Sequence, residues 1–132
     1  MTTPTKERMR LDKFLRIYGS GVGQLVRAVG TTNQSKYSVD VRAHVRLYIP
    51  EEITRDEMII QGDSKVIISS TEIIESQWPG AQPTPPTPEN DVRVPRANDK
   101  FVWQGRTKNV QTAEAFYFDG ELVKIILQVR GS

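Results

Sequence analysis

Asp119-Gly120 is the pair of residues that most restricts how this chain can fold. Phe116, Tyr117 and Phe118 precede it, and in the ten residues after it Val123, Ile125, Leu127 and Val129 alternate with Leu122, Lys124, Ile126 and Gln128. A two-residue type I′ turn needs φ > 0 at both central positions, which Asp-Gly tolerates, and its twist matches that of the strands it joins. The pattern predicts a hairpin. Upstream, Gly105 separates Phe101-Val102-Trp103 from Val110 and predicts another tight reversal. Lys100 to Arg130 is therefore expected to be a meander of three or four antiparallel strands, whose apolar face the rest of the chain must cover.

A chain of 132 residues can bury one core without metal or disulfide staples, so a single domain over 1–132 is expected. Its 37% hydrophobic and 26% charged residues argue against wholesale disorder. Apolar runs of three or four residues are too short to span a bilayer, and no hydrophobic signal core follows Met1-Thr2-Thr3-Pro4. The expectation is a protein made in the cytoplasm, with no membrane partner. The absence of cysteine excludes disulfides, thiolate catalysis and cysteine-ligated metals. Residues 1–50 carry nine Lys/Arg against three Asp/Glu, and residues 51–132 carry nine against thirteen. Such a split suits an acidic partner, or a ring in which one subunit's basic face meets its neighbour's acidic face, although uneven scatter of charge also produces it.

Along the chain, Leu11, Phe14 or Leu15, and Tyr18 recur at helical spacing, with Lys6, Arg8, Arg10, Lys13 and Arg16 on the remaining surface. This predicts an amino-terminal helix over 5–18, stopped by Gly19-Ser20-Gly21. The β core is expected over 22–78 and 99–130. It begins with a short strand over Gln24–Val29 and continues with a long one. In the long strand Val39, Val41, Ala43, Val45, Leu47 and Ile49 alternate with Asp40, Arg42, His44, Arg46 and Tyr48 until Pro50 ends it. Met58-Ile59-Ile60, the turn Gln61-Gly62-Asp63 and Lys65–Ser69 read as a second hairpin. Ser69 and Glu72 have capping-box spacing for a short helix near 71–77. From Pro79 to Asn98 come six prolines and little that could be buried, the composition of an exposed arm. The fold expected is mainly β, a small antiparallel barrel or sandwich of six or seven strands.

Little here suggests catalysis. His44, the one histidine, lies between Arg42 and Arg46 and is expected at the surface. Glu51-Glu52 and Asp56-Glu57 lack a third ligand at metal-site spacing. Gly19, Gly21 and Gly23 have neither the preceding strand nor the Gly-Lys-Ser/Thr of a phosphate loop. No catalytic residue, metal or cofactor is expected, and the chain does not read as an enzyme. Trp103 is expected in the core, whereas Trp78 borders the proline-rich stretch and could anchor it or a partner. Arg42, Arg46 and Tyr48 on one strand face also fit a barrel that binds single-stranded nucleic acid.

The blocks VDVRAHVRLYI, GDSKVIISSTEI, PRANDKFVWQGRTKNVQ and ELVKIILQVRG, in this order over residues 38–130, resemble the small head-completion, or stopper, proteins of tailed bacteriophages. Pro95, Asp99, Phe101-Val102-Trp103, Gly105 and Val110 carry that family's succession of proline, aspartate, strand, glycine turn and strand. The long insertion Ala81–Arg93 and the amino-terminal helix lie outside the pattern. The resemblance implies a virion structural protein of the neck, a head-tail connector. Copies would form a ring, a hexamer or dodecamer, between the portal or its adaptor and the tail protein, retaining packaged double-stranded DNA. The contact regions expected on this basis are Lys6 to Tyr18, with Lys6, Arg10, Lys13 and Arg16, and Pro79 to Arg96, with Trp78, Pro83, Pro86, Arg93 and Arg96. Arg42 and Arg46 are the candidates to face DNA. The alternative from the residues themselves is a small nucleic-acid-binding barrel with an accessory role.

Overall fold

The structure, a computed structural model, describes residues 3–29, 35–76, 78, 91 and 93–131. In chain order its elements are α1 (Pro4–Tyr18), β1 (Gly21–Val29), β2 (Ser35–Leu47), α2 (Pro50–Arg55), β3 (Ser64–Ser69), α3 (Thr71–Ser76), β4 (Lys100–Trp103), β5 (Arg106–Phe118) and β6 (Glu121–Gly131). The six strands close into a barrel in the order β1-β2-β3-β6-β5-β4, and each neighbouring pair is antiparallel. Two three-strand meanders, β1-β2-β3 and β4-β5-β6, are thus joined along both edges, which leaves no open sheet edge.

Inward positions follow the period of two. Leu25, Val41, Ala43, Val66, Ile68, Phe101, Val110, Ile125, Leu127 and Val129 fill the interior, and Trp103 lies with them as expected. Gly23 is part of this packing, because a Cβ there would stand 2.4 Å from the Phe101 ring. Both predicted reversals are two-residue turns. Trp103 pairs with Arg106 around Gln104-Gly105 (φ 51° and 79°), and Phe118 pairs with Glu121 around Asp119-Gly120 (φ 49° and 79°). These are the left-handed dihedrals that a I′ turn requires.

α1 begins where the Thr3 side chain accepts from the Lys6 amide and Pro4 occupies the first turn. It buries Leu15, and its Asp12 carboxylate accepts from Thr71 Oγ1 at 2.6 Å, which ties it to the start of α3. Arg8 reaches Glu121 at the β5–β6 turn.

Several expectations are corrected. The alternation in β2 is real, but Leu47 and Ile49 do not reach the core: both are exposed, Leu47 as the last residue of the strand and Ile49 beyond it at the start of α2. Residues 50–55 form a helix that the acidic composition concealed, with Pro50 at its start and Glu52 accepting from the Ile49 amide. Met58-Ile59-Ile60 is not a strand, so there is no hairpin at Gly62. Instead the Asp63 carboxylate bonds the Ile60 amide, Gln128 Nε2 and the Arg130 guanidinium, which pins an irregular connection to β6. Ser69 and Glu72 form no capping box, since Glu72 accepts from the Arg42 amide of β2 at 2.7 Å. His44 is half-buried beneath the Phe14 ring, 6.0 Å between centroids, and its Nδ1 has no hydrogen-bond partner.

Gly120 faces open space, so its role is conformational. Gly120→Val should cost about 1–2 kcal/mol and lower Tm by about 3–10 °C. Gly120→Asn should cost less, because asparagine tolerates φ > 0. Thermal denaturation checks this, and equal Tm values for all three proteins would argue against the strained-turn account.

Candidate functional site

The closing seam of the barrel is its shortest. β1 and β4 share only Gln24↔Val102, Leu25↔Phe101 and Val26↔Lys100. One step further in the same register, Arg27 stands opposite Asp99. Both side chains are almost fully buried, and Arg27 Nε and Nη2 donate to the Asp99 carboxylate at 2.6–3.1 Å. Asp99 also accepts from the Arg96 amide, and Arg27 Nη2 also donates to the Val94 carbonyl at 3.2 Å. The other face of the guanidinium lies 4.7 Å from the Trp78 ring centroid, and Trp78 Nε1 donates to the Tyr37 carbonyl of β2. One arginine thus grips the chain both before and after the proline-rich stretch.

This geometry corrects two expectations about the arm. Trp78 is 2% exposed and belongs to the core, so its side chain is already occupied within the subunit. The arm does not extend to Asn98 either, since Asp91 and Pro95 are buried and Val94 packs on the core. Arg93 forms a paired contact with Asp91 at 2.8–2.9 Å, and Tyr117 Oη donates to the same carboxylate at 2.8 Å. Burial opposes ionisation of Asp91, but the bonds from Arg93 and Tyr117 outweigh it and hold its pKa below the usual range. Burial, and then the bond to Asp91, push Tyr117 up to about 12. Arg96 is exposed. Pro83 and Pro86 lie outside the described residues.

Lys6, Arg10, Lys13 and Arg16 are all exposed on α1. Lys6, Arg10, Lys13 and Ile17 follow one another at i, i+4, i+7 and i+11, so they form a single outward stripe with Met9 and Arg16 beside it. Arg10 pairs with Glu7 at 3.0 Å. Arg16 and Arg42 meet in a cavity of about 240 Å³ that also receives Asp12 and Glu72. Burial pushes the Glu72 carboxyl up. Arg46, the other residue considered for DNA, is bonded through both terminal nitrogens to Glu52, which this contact lowers to about 2. Tyr48 is half-buried, so Arg42, Arg46 and Tyr48 do not form a free basic and aromatic stripe.

A second cavity of about 370 Å³ separates α1 from the β5–β6 hairpin, lined by Glu7, Arg10, Leu11, Phe116, Tyr117 and Val123 among others. Among the described residues no group of His, Asp or Glu is placed to hold a metal ion, and no helix is long and apolar enough to cross a membrane. The sequence reading missed Arg27. Its signal was present, since Gly23, Leu25 and Arg27 share the inward face of β1 and a buried charge there requires a partner. No protein-family model matches the chain, and no curated protein is significantly similar to it.

A folded pKa of about 12 for Tyr117, above the ordinary value near 10, makes its contribution complete below pH 10 and lost as pH rises through 12. Wild type should therefore exceed Tyr117→Phe in Tm at pH 8–9 by a margin that shrinks toward pH 12. A margin that stays constant across this window would contradict the Tyr117–Asp91 bond.

Proposed function

We propose that this protein is a structural component of the neck of a tailed bacteriophage, a head-completion or connector subunit that assembles as a ring between portal or adaptor and tail. The observation that carries an assembly role is where its apolar surface lies. Nine of the ten exposed large hydrophobic residues among those described fall in two regions. Met9, Phe14, Ile17, Tyr18 and Val22 belong to α1 and the start of β1, and Leu47, Ile49, Met58 and Ile60 to the last residue of β2 and the β2–β3 connection. Concentrated apolar exposure of this kind marks interaction surfaces.

The neck is what the resemblance adds. Its four blocks coincide with β2, with β3 and the start of α3, with β4 and the first half of β5, and with β6. Their most distinctive residues serve the barrel: Asp99 holds Arg27, Gly105 makes a left-handed turn and Val110 is core. The reading therefore rests on shared architecture and not on a shared reactive site. The clamp at Arg27 gives the proline-rich stretch fixed ends, which suits a segment that reaches a neighbouring subunit, the portal or the tail while its base stays on the barrel. The nucleic-acid-binding alternative is weakened by the engagement of Arg46 with Glu52.

A stop codon early in the gene, in a genome that otherwise makes complete particles, should yield DNA-filled heads that lack tails or leak DNA. Wild-type protein supplied in trans should restore infectivity. The same protein with residues 81–89 replaced by an equally long Gly/Ser stretch should fold with an unchanged Tm but fail to enter particles. Complete, infectious, tailed particles without the protein would sink the neck reading.

A further inference from the structure

The two apolar patches carry opposite charge. On α1, the outward stripe of Lys6, Arg10 and Lys13 runs beside exposed Met9, Ile17 and Tyr18. On the β2–β3 connection, exposed Glu51, Asp56 and Glu57 stand among Leu47, Ile49, Met58 and Ile60. Arg46 and Lys65 both approach Glu52, at 2.8 and 3.9 Å, and Arg130 is paired with Asp63, so Glu51, Asp56 and Glu57 remain exposed with Arg55 as the one basic residue between Leu47 and Asp63.

The charged parts of the two patches do not meet within one subunit, although the carboxyl end of α1 reaches β2, where Ser20 Oγ bonds the Val45 amide and carbonyl. α1 is tied by Asp12 to Thr71, just beyond the exit of β3, whereas the connection feeds the opposite end of that strand at Ser64. Six residues of strand, about 20 Å at 3.3 Å each, lie between. Among the described residues every ion pair of α1 is with Glu7 or Glu121, and none reaches residues 51–57.

We infer that these two surfaces are the halves of a head-to-tail interface between copies of this chain: the basic, apolar stripe of α1 docks on the acidic, apolar β2–β3 connection of the next subunit. Different patches on the two sides make the contact heterologous, and a heterologous contact that closes gives a ring. Complementary charge sets register and suppresses α1-to-α1 pairing, while the exposed methionine, isoleucine and leucine side chains supply the area to be buried. The inference uses only surfaces of this chain and holds whether or not the ring sits in a neck.

The chain has no cysteine, which permits a clean test. Met9→Cys and Met58→Cys alter one exposed side chain each and leave every charge in place. Mixed and oxidised, the two variants should give a heterodisulfide at least about tenfold more abundant than Met9→Cys mixed with Thr107→Cys on the β4–β5 hairpin, because a specific contact raises the effective concentration. The double variant should give a ladder ending in a closed species. Lys6→Glu with Lys13→Glu on the Met9→Cys chain should suppress the bond, and Glu51→Lys with Glu57→Lys on its partner should restore it. A heterodisulfide no more abundant than the control, or a predominant Met9–Met9 product, would overturn the interface. So would duplex DNA protecting α1 with no heterodisulfide formed. Absence of the protein from particles would instead sink the neck reading and leave the cross-link intact.

Discussion

The buried pair of Arg27 and Asp99 is the contact on which the rest of this architecture depends. The barrel is two meanders sealed along two edges, and the β1–β4 edge has only three residue pairs in its ladder. A seam that short is prone to fray. The bidentate bond at its end extends the register by side chains, and because both partners are buried, losing either would break an ion pair held in the interior. The same arginine stacks on Trp78 and bonds the Val94 carbonyl, so closing the barrel and anchoring the proline-rich stretch are one event.

This arrangement explains how a small domain accommodates a long polar insertion. The cost of closing a loop grows slowly with its length when the ends are held together, and the ends here are held at a single guanidinium. Asp91 adds a second fastening by joining Arg93 to Tyr117 of β5. At the opposite barrel mouth Asp63 does comparable work, drawing the β2–β3 connection onto Gln128 and Arg130 of β6. A buried carboxylate thus anchors each of the irregular segments that border the proposed contact surfaces.

The regular parts of the barrel were legible in the sequence because their signals are local. Two Gly-containing turns, a strict period of two in β2 and an amphipathic run in α1 are each decided within a few residues. The irregular parts were not, because what shapes them is distant in sequence. Met58-Ile59-Ile60 has strand composition but is claimed by Asp63 and Gln128, and Glu72 is drawn from its own helix to the Arg42 amide. Trp78, next to the prolines, reads as a surface anchor until Arg27 and the Tyr37 carbonyl are brought to it from β1 and β2. For the candidate contact surfaces, the basic face of α1 was evident, but its acidic counterpart was not. Residues 47–60 become a candidate only when Leu47 and Ile49 are seen to be exposed and not part of the core.

A double-mutant cycle on Arg27 and Asp99, followed by urea unfolding, tests the dependence of the fold on this pair most directly. Arg27→Met and Asp99→Leu should each cost about 3–5 kcal/mol by removing one partner of a buried ion pair, and together they should cost at least about 2 kcal/mol less than the sum of the two. Costs that add to within about 0.5 kcal/mol would show that the two side chains do not act on each other, and would contradict the account of how this barrel is closed.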